Sequence, residues 1–129
     1  MSYLLDTNVI VAAVTSDTDR SAAAVHALNG LEETYVSILT LMELRTVLAK
    51  KKRIDRDRVT QIEQRVRSRV EVTFPDSTDM FEANRLQEET LLYPMDALIL
   101  ASAAAVDATL VSFDGELREH GAISPTALE

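Results

Sequence analysis

The chain has 129 residues, no cysteine and a formal net charge of −8, and 47% of its residues are hydrophobic. This suits one domain, residues 1–129, around one core, and it excludes a disulfide framework and a thiolate metal site. No apolar run approaches the roughly 18 residues of a membrane span, and Met1 to Val14 lacks the basic start of a secretory signal, so a cytoplasmic setting is expected.

Taken in order, the elements alternate. Ser2 to Leu5 reads as a strand, followed by helices over Asn8 to Val14 and Arg20 to Leu28, the second stopped by Asn29-Gly30. Thr34 to Ser37 is a second strand. Ser37 can cap a helix from Ile38 to Lys52, whose residues Ile38, Leu41, Met42, Leu44, Leu48 and Ala49 keep helical spacing. Asp55 can cap Arg56 to Arg69, with Val59, Ile62 and Val66 on one face. Val70 to Thr73 is a third strand, and a helix from about Ser77 to Leu91 follows. Pro94 breaks that pattern, and Asp96 opens another apolar helix to about Val106. Thr109 to Phe113 is the fourth strand; Asp114-Gly115 turns into a short helical piece and an irregular tail. Strands separated by helices predict an α/β fold, a three-layer α/β/α sandwich with a central parallel sheet of four to five strands.

Four acids stand out against apolar surroundings. Asp6 is the only charged side chain from Met1 to Ser16, and Asp96 the only one between Thr90 and Asp107. A lone carboxylate in such a context needs a helix-cap bond, a cation or a metal ion. Asp6 and Asp114 each follow a strand directly, which places them at the carboxyl edge of the sheet, where α/β proteins bind ligands. Asp96 starts a helix near that edge. Glu43 lies inside the third helix, and Leu39 and Val47, one turn either side, put it on a row expected to face the protein. Each acid has a plain structural use, as a cap, a turn residue or, for Glu43, a partner of Arg45 or of a distant arginine. Their convergence on one edge is the stronger inference. Oxygen-only ligands without cysteine suit Mg²⁺ or Mn²⁺, and such ions activate water at a phosphodiester. Asn8 and Ser112 are candidates for supporting hydrogen bonds, and His26 and His120 are read as surface or structural.

The charge is unevenly spread. Lys50 to Arg69 carries +6, so the rest carries −14. A basic segment on an acidic body is what a phosphate backbone would find, and Lys50, Lys51, Lys52 and Arg53 are its densest part; the alternative is a solvated face with ordinary ion pairs.

Leu4-Leu5-Asp6-Thr7-Asn8, Thr40-Leu41-Met42-Glu43-Leu44, Asp96-Ala97-Leu98-Ile99-Leu100-Ala101 and Leu110-Val111-Ser112-Phe113-Asp114 resemble, in order and over essentially the whole chain, the four acidic motifs of PIN-domain ribonucleases, in particular the VapC-type toxins of toxin–antitoxin pairs. The resemblance implies a metal-dependent endoribonuclease, usually a homodimer and often inhibited by an antitoxin, with Asp6, Glu43, Asp96 and Asp114 holding the ions. It also implies 5′-phosphate and 3′-hydroxyl products. Ser112 stands where many members have threonine, and the overall acidity is unusual for a protein that cuts RNA. The alternatives are a non-catalytic module of the same fold that binds RNA or a partner, and an RNA-processing or DNA-directed nuclease with the same acids. Phosphoryl chemistry on a carboxylate is set aside, because position 8 is Asn and lysine occurs only at 50–52.

Overall fold

The computed structural model describes residues 1–15 and 19–129. Its strands are β1 (Ser2–Leu5), β2 (Glu33–Ser37), β3 (Glu71–Thr73) and β4 (Ala108–Val111), and its α-helices are α1 (Thr7–Thr15), α2 (Ser21–Asn29), α3 (Ile38–Thr46), α4 (Arg56–Arg69), α5 (Ser77–Thr90), α6 (Pro94–Ala105) and α7 (Gly115–Arg118). The four strands form one sheet in the order β3-β2-β1-β4, and every pairing is parallel. A lone parallel bridge, Val111 to Ile123, adds one rung beyond β4 and does not grow into a fifth strand.

Adjacent strand residues point to opposite faces. Leu5, Val36 and Val111 enter one core with α1, α2, α3 and α4. Leu4 and Leu110 enter the other, with α5, α6 and Leu117 of α7. This is the three-layer arrangement read from the alternation of elements. Ser37 and Asp55 cap α3 and α4 as expected, accepting from the backbone N–H of Leu39 and Asp57.

Four differences from the sequence expectation exceed a one-residue shift, each for a local reason. The third helix is α-helical only to Thr46; Val47–Lys51 is a π-helix, closed by Lys52 N–H donating to Val47 O. Apolar spacing could not reveal this, because Leu41, Leu44 and Leu48 are all buried as an α-helix would have them. Asp96 does not open the sixth helix. Pro94 does, since its fixed φ and missing N–H suit the first helical position, and Asp96 falls in the first turn. β4 ends at Val111, two residues early, because Ser112 N–H turns to Ile123 O and Phe113 N–H to the Asn8 side chain. The tail is not wholly irregular: Pro125–Leu128 forms a 3₁₀ turn, and Leu128 O lies 3.0 Å from His26 Nε2.

Candidate active site

The winding of the sheet fixes where a crevice opens. β1, β2 and β3 are laid down in one direction, and β4 returns to the opposite side of β1. The connections leaving β1 and β4 therefore diverge, and the carboxyl ends of these two strands face an open space. Asp6 leaves β1 there. Ser112, Phe113 and Asp114 leave β4 there.

Ser112 ties the two edges together. It is fully buried. Its hydroxyl donates to Asp6 Oδ2 at 2.8 Å and accepts from Asn8 Nδ2 at 3.2 Å and from Asp114 N at 3.0 Å. One donor and two acceptor positions exhaust what a serine hydroxyl offers. Asn8 completes the link by accepting from Phe113 N with its Oδ1, at 3.1 Å. The other Asp6 oxygen accepts from Thr7 N. The Asp114 carboxylate caps α7 by accepting from Glu116 N at 2.8 Å. Asp6 and Asp114 are thus held in single orientations by groups that are themselves fixed.

A groove of about 410 Å³ opens at this edge, and Asp6, Glu43, Asp96 and Asp114 all line it. Glu43 is exposed rather than turned inward; the flanking Leu39 and Val47 are half-buried, and Glu43 and Val47 both line the groove. It is not paired with Arg45, which instead makes a two-pronged ion pair with the buried Glu63. The acids act on one another. Burial raises the Asp96 pKa to about 6, helped by the charges of Asp6, Asp114, Glu116 and Glu43. Burial also raises the pKa of Asp6, with Glu43 and Asp114 adding to the rise and the bonds from Ser112 and Thr7 opposing it.

The remaining wall comes from the Val11, Ala12 and Thr15 face of α1, from Val47, and from Phe113, Arg20 and Lys52. Of the four basic residues singled out in the sequence, Lys52 reaches the groove, while Lys50, Lys51 and Arg53 are exposed outside its lining. Arg20 and Phe113 were not anticipated. They are 93 residues apart, and only the fold places the Arg20 guanidinium 4.8 Å from the centre of the Phe113 ring.

Comparison with known proteins bears on this geometry. The family model of the PIN domain matches residues 3–123. The chain belongs to the PIN-domain family. Solved PIN-like neighbours cover nearly its whole length. A toxin–antitoxin complex from Klebsiella pneumoniae is 26% identical over 96% of this chain and 98% of its own, with a TM-score of 0.73. The sarcin-ricin loop-cleaving toxin VapC20 of Mycobacterium tuberculosis is 20% identical over 95% and 97%, with a TM-score of 0.78. VapBC2 of Rickettsia felis, bound to a DNA fragment from its promoter, is 24% identical over 92% of each chain, with a TM-score of 0.74. No curated protein sequence matches the chain.

The donor set of this PIN domain is four carboxylates on one groove. Among the described residues, no three His, Asp or Glu side chains are grouped closely enough to hold an ion together. Four carboxylates nonetheless share one groove, and burial, with their mutual repulsion added, holds a proton on Asp96 up to about pH 6. A bound cation relieves that repulsion. An ion that keeps several of its waters and takes only one or two carboxylates directly, as Mg²⁺ does, needs no closed cage. The residues fit such an ion.

Proposed function

We propose that this PIN domain is a metal-dependent endoribonuclease that hydrolyses RNA phosphodiester bonds in the acidic groove, and that it is the toxin of a toxin–antitoxin pair. The observation that carries this reading is the convergence of Asp6, Glu43, Asp96 and Asp114 at the β1/β4 edge, with Asp6 and Asp114 oriented by Ser112. Support for the toxin assignment comes from the neighbours, which include a toxin–antitoxin complex and a toxin that cleaves the sarcin-ricin loop.

Asp6, Glu43, Asp96 and Asp114 are the residues that would hold Mg²⁺ or Mn²⁺. When bound, such an ion lowers the pKa of a coordinated water and offsets charge on the phosphodiester. The chain's own residues do the rest. Ser112 and Thr7 N–H hold Asp6 in one orientation, so its carboxylate is set before substrate arrives. Asp96 is mostly ionised above about pH 6. Its charge in the first turn of α6 lies where the helix dipole favours an anion. Attack of water on phosphorus breaks the P–O3′ bond and leaves 5′-phosphate and 3′-hydroxyl ends. We place this action in the cytoplasm, with an antitoxin protein as the regulating partner and a homodimer as the assembly. No helix among the described residues is long and apolar enough to cross a membrane.

The test is cleavage of an end-labelled mixed RNA pool, with a single-stranded DNA pool in parallel, under Mg²⁺, Mn²⁺ and chelator. Asp6→Asn and Asp96→Asn run beside the unmodified chain. Metal-dependent cutting of RNA, abolished by both substitutions, upholds the reading. Folded protein that binds metal but cuts no RNA overturns it in favour of a non-catalytic binding module, and cutting confined to DNA overturns the substrate.

A further inference from the structure

A groove that must admit a polyanion has four carboxylates at one end, so its cations matter. Arg20 lines the same groove, yet among the described residues it pairs with none of those carboxylates. It is held instead by the face of Phe113, 4.8 Å from guanidinium carbon to ring centre. A cation held over an aromatic face is attracted by the ring without using up hydrogen-bond donors, so the guanidinium N–H groups stay available. Both ends of the contact are anchored. The Arg20 carbonyl accepts from Ala24 N in the first turn of α2, and Phe113 N donates to Asn8. Asn8 also bonds Ser112, the residue that orients Asp6 and Asp114. The arginine is therefore linked by four successive hydrogen-bonded or stacked contacts to the acids themselves.

Along α1, Asn8, Val11, Ala12 and Thr15 line the groove between the acid end and the Arg20 end. At the helical rise, Asn8 and Thr15 stand about 10 Å apart. This leaves room beside the acids for a nucleotide on an apolar floor.

We propose that Arg20, stacked over Phe113, binds the RNA nucleotide flanking the scissile phosphate. Its N–H edge takes the flanking phosphate and its open face takes the base, with Phe113 as the positioning residue. Single-stranded RNA is commonly recognised by bases stacked on arginine planes and aromatic rings. The inference rests on the nuclease reading for its orientation, but it has an independent readout in RNA binding without cleavage.

The experiment measures steady-state cleavage of a short labelled RNA with Mg²⁺ or Mn²⁺, and anisotropy of the same RNA with chelator, over a salt series. The chains are the unmodified protein, Arg20→Gln, Arg20→Lys, Phe113→Leu and Phe113→Tyr. Arg20→Gln is expected to raise KM and the chelator Kd about tenfold with kcat within about twofold, and to flatten the log Kd–log salt slope by about 0.7, the value of one lost single-strand phosphate contact. Arg20→Lys keeps the slope but loses the planar stack, so its KM rises about threefold. Phe113→Leu matches Arg20→Lys, and Phe113→Tyr restores the original KM. A structural role alone would lower the melting temperature and leave KM and slope in place. If RNA is cut and Arg20→Gln changes neither KM nor slope, the inference falls and the nuclease reading stands. If RNA is not cut, the nuclease reading falls, and the anisotropy slope alone decides Arg20. RNA that neither binds nor is cut overturns both.

Discussion

Asp96→Asn should make the metal-free protein more stable at neutral pH. The Asp96 carboxyl is pushed from 3.8 to about 6 by burial and by Asp6, Asp114, Glu116 and Glu43. A shift of this size corresponds to about 3 kcal/mol at full strength. Asp96 is only half-buried, so solvent screening reduces this to about 1–2 kcal/mol. The first turn of α6 favours the ionised form by about 0.3–1 kcal/mol, which leaves burial and repulsion as the larger effect. The sign follows from linkage. The folded-state pKa is raised, so the contribution of protonated Asp96 is fully present below 3.8 and is lost as pH rises through about 6. The asparagine variant has nothing to lose. Its advantage should be near zero at about pH 4, should open between about pH 4 and pH 7, and should then stay flat. For a domain of this size, about 1–2 kcal/mol corresponds to a melting temperature roughly 4–8 °C higher. The assay is thermal unfolding with chelator across that pH range, then with Mg²⁺ or Mn²⁺ added at pH 7.5. The ion should stabilise the unmodified chain more than the variant and narrow the gap. A variant that melts at or below the unmodified chain at pH 7.5 with chelator, or a gap that does not depend on pH, would refute the argument that burial and the neighbouring acids destabilise the ionised Asp96 carboxylate.

Other expectations follow from single contacts. Ser112→Ala leaves Asp6 Oδ2, Asn8 Nδ2 and Asp114 N without their shared partner; it should cost about 2 kcal/mol in denaturant unfolding and lower kcat more than it raises KM. Arg45→Ala strands the buried Glu63 carboxylate, at a cost of about 2 kcal/mol by the same measurement, while cleavage by the fraction still folded is unchanged. Leu4→Ala empties a fully buried position between β1 and the α5/α6 layer, and about 3 kcal/mol of stability should go with it. Glu43→Gln removes one groove carboxylate without disturbing a core contact; titration with Mn²⁺ should show weaker binding and unfolding should show little change.

Much of this protein was readable along one dimension. Alternating apolar runs and caps placed β1 at Ser2–Leu5 and α4 at Arg56–Arg69, because those elements are set by nearest-neighbour chemistry: a period of two or of 3.6, and Ser or Asp at the first turn. The four acids were conspicuous for a related reason, since an ionisable side chain among apolar neighbours is a local contrast that needs no fold to be seen. What escaped the sequence depends on distant partners. β4 stops at Val111 because Ile123 and Asn8 compete for the next two N–H groups. After the π-turn at Val47–Lys51, Lys52 lines the groove and Lys50 and Lys51 do not, a difference of direction that the run of three lysines cannot express. Ser112 as the joint between two strand ends and Arg20 over Phe113 both join residues about a hundred positions apart. Composition and periodicity determine which residues are buried and which carry charge. Only the parallel sheet, reversing its winding at β1, decides which of them meet.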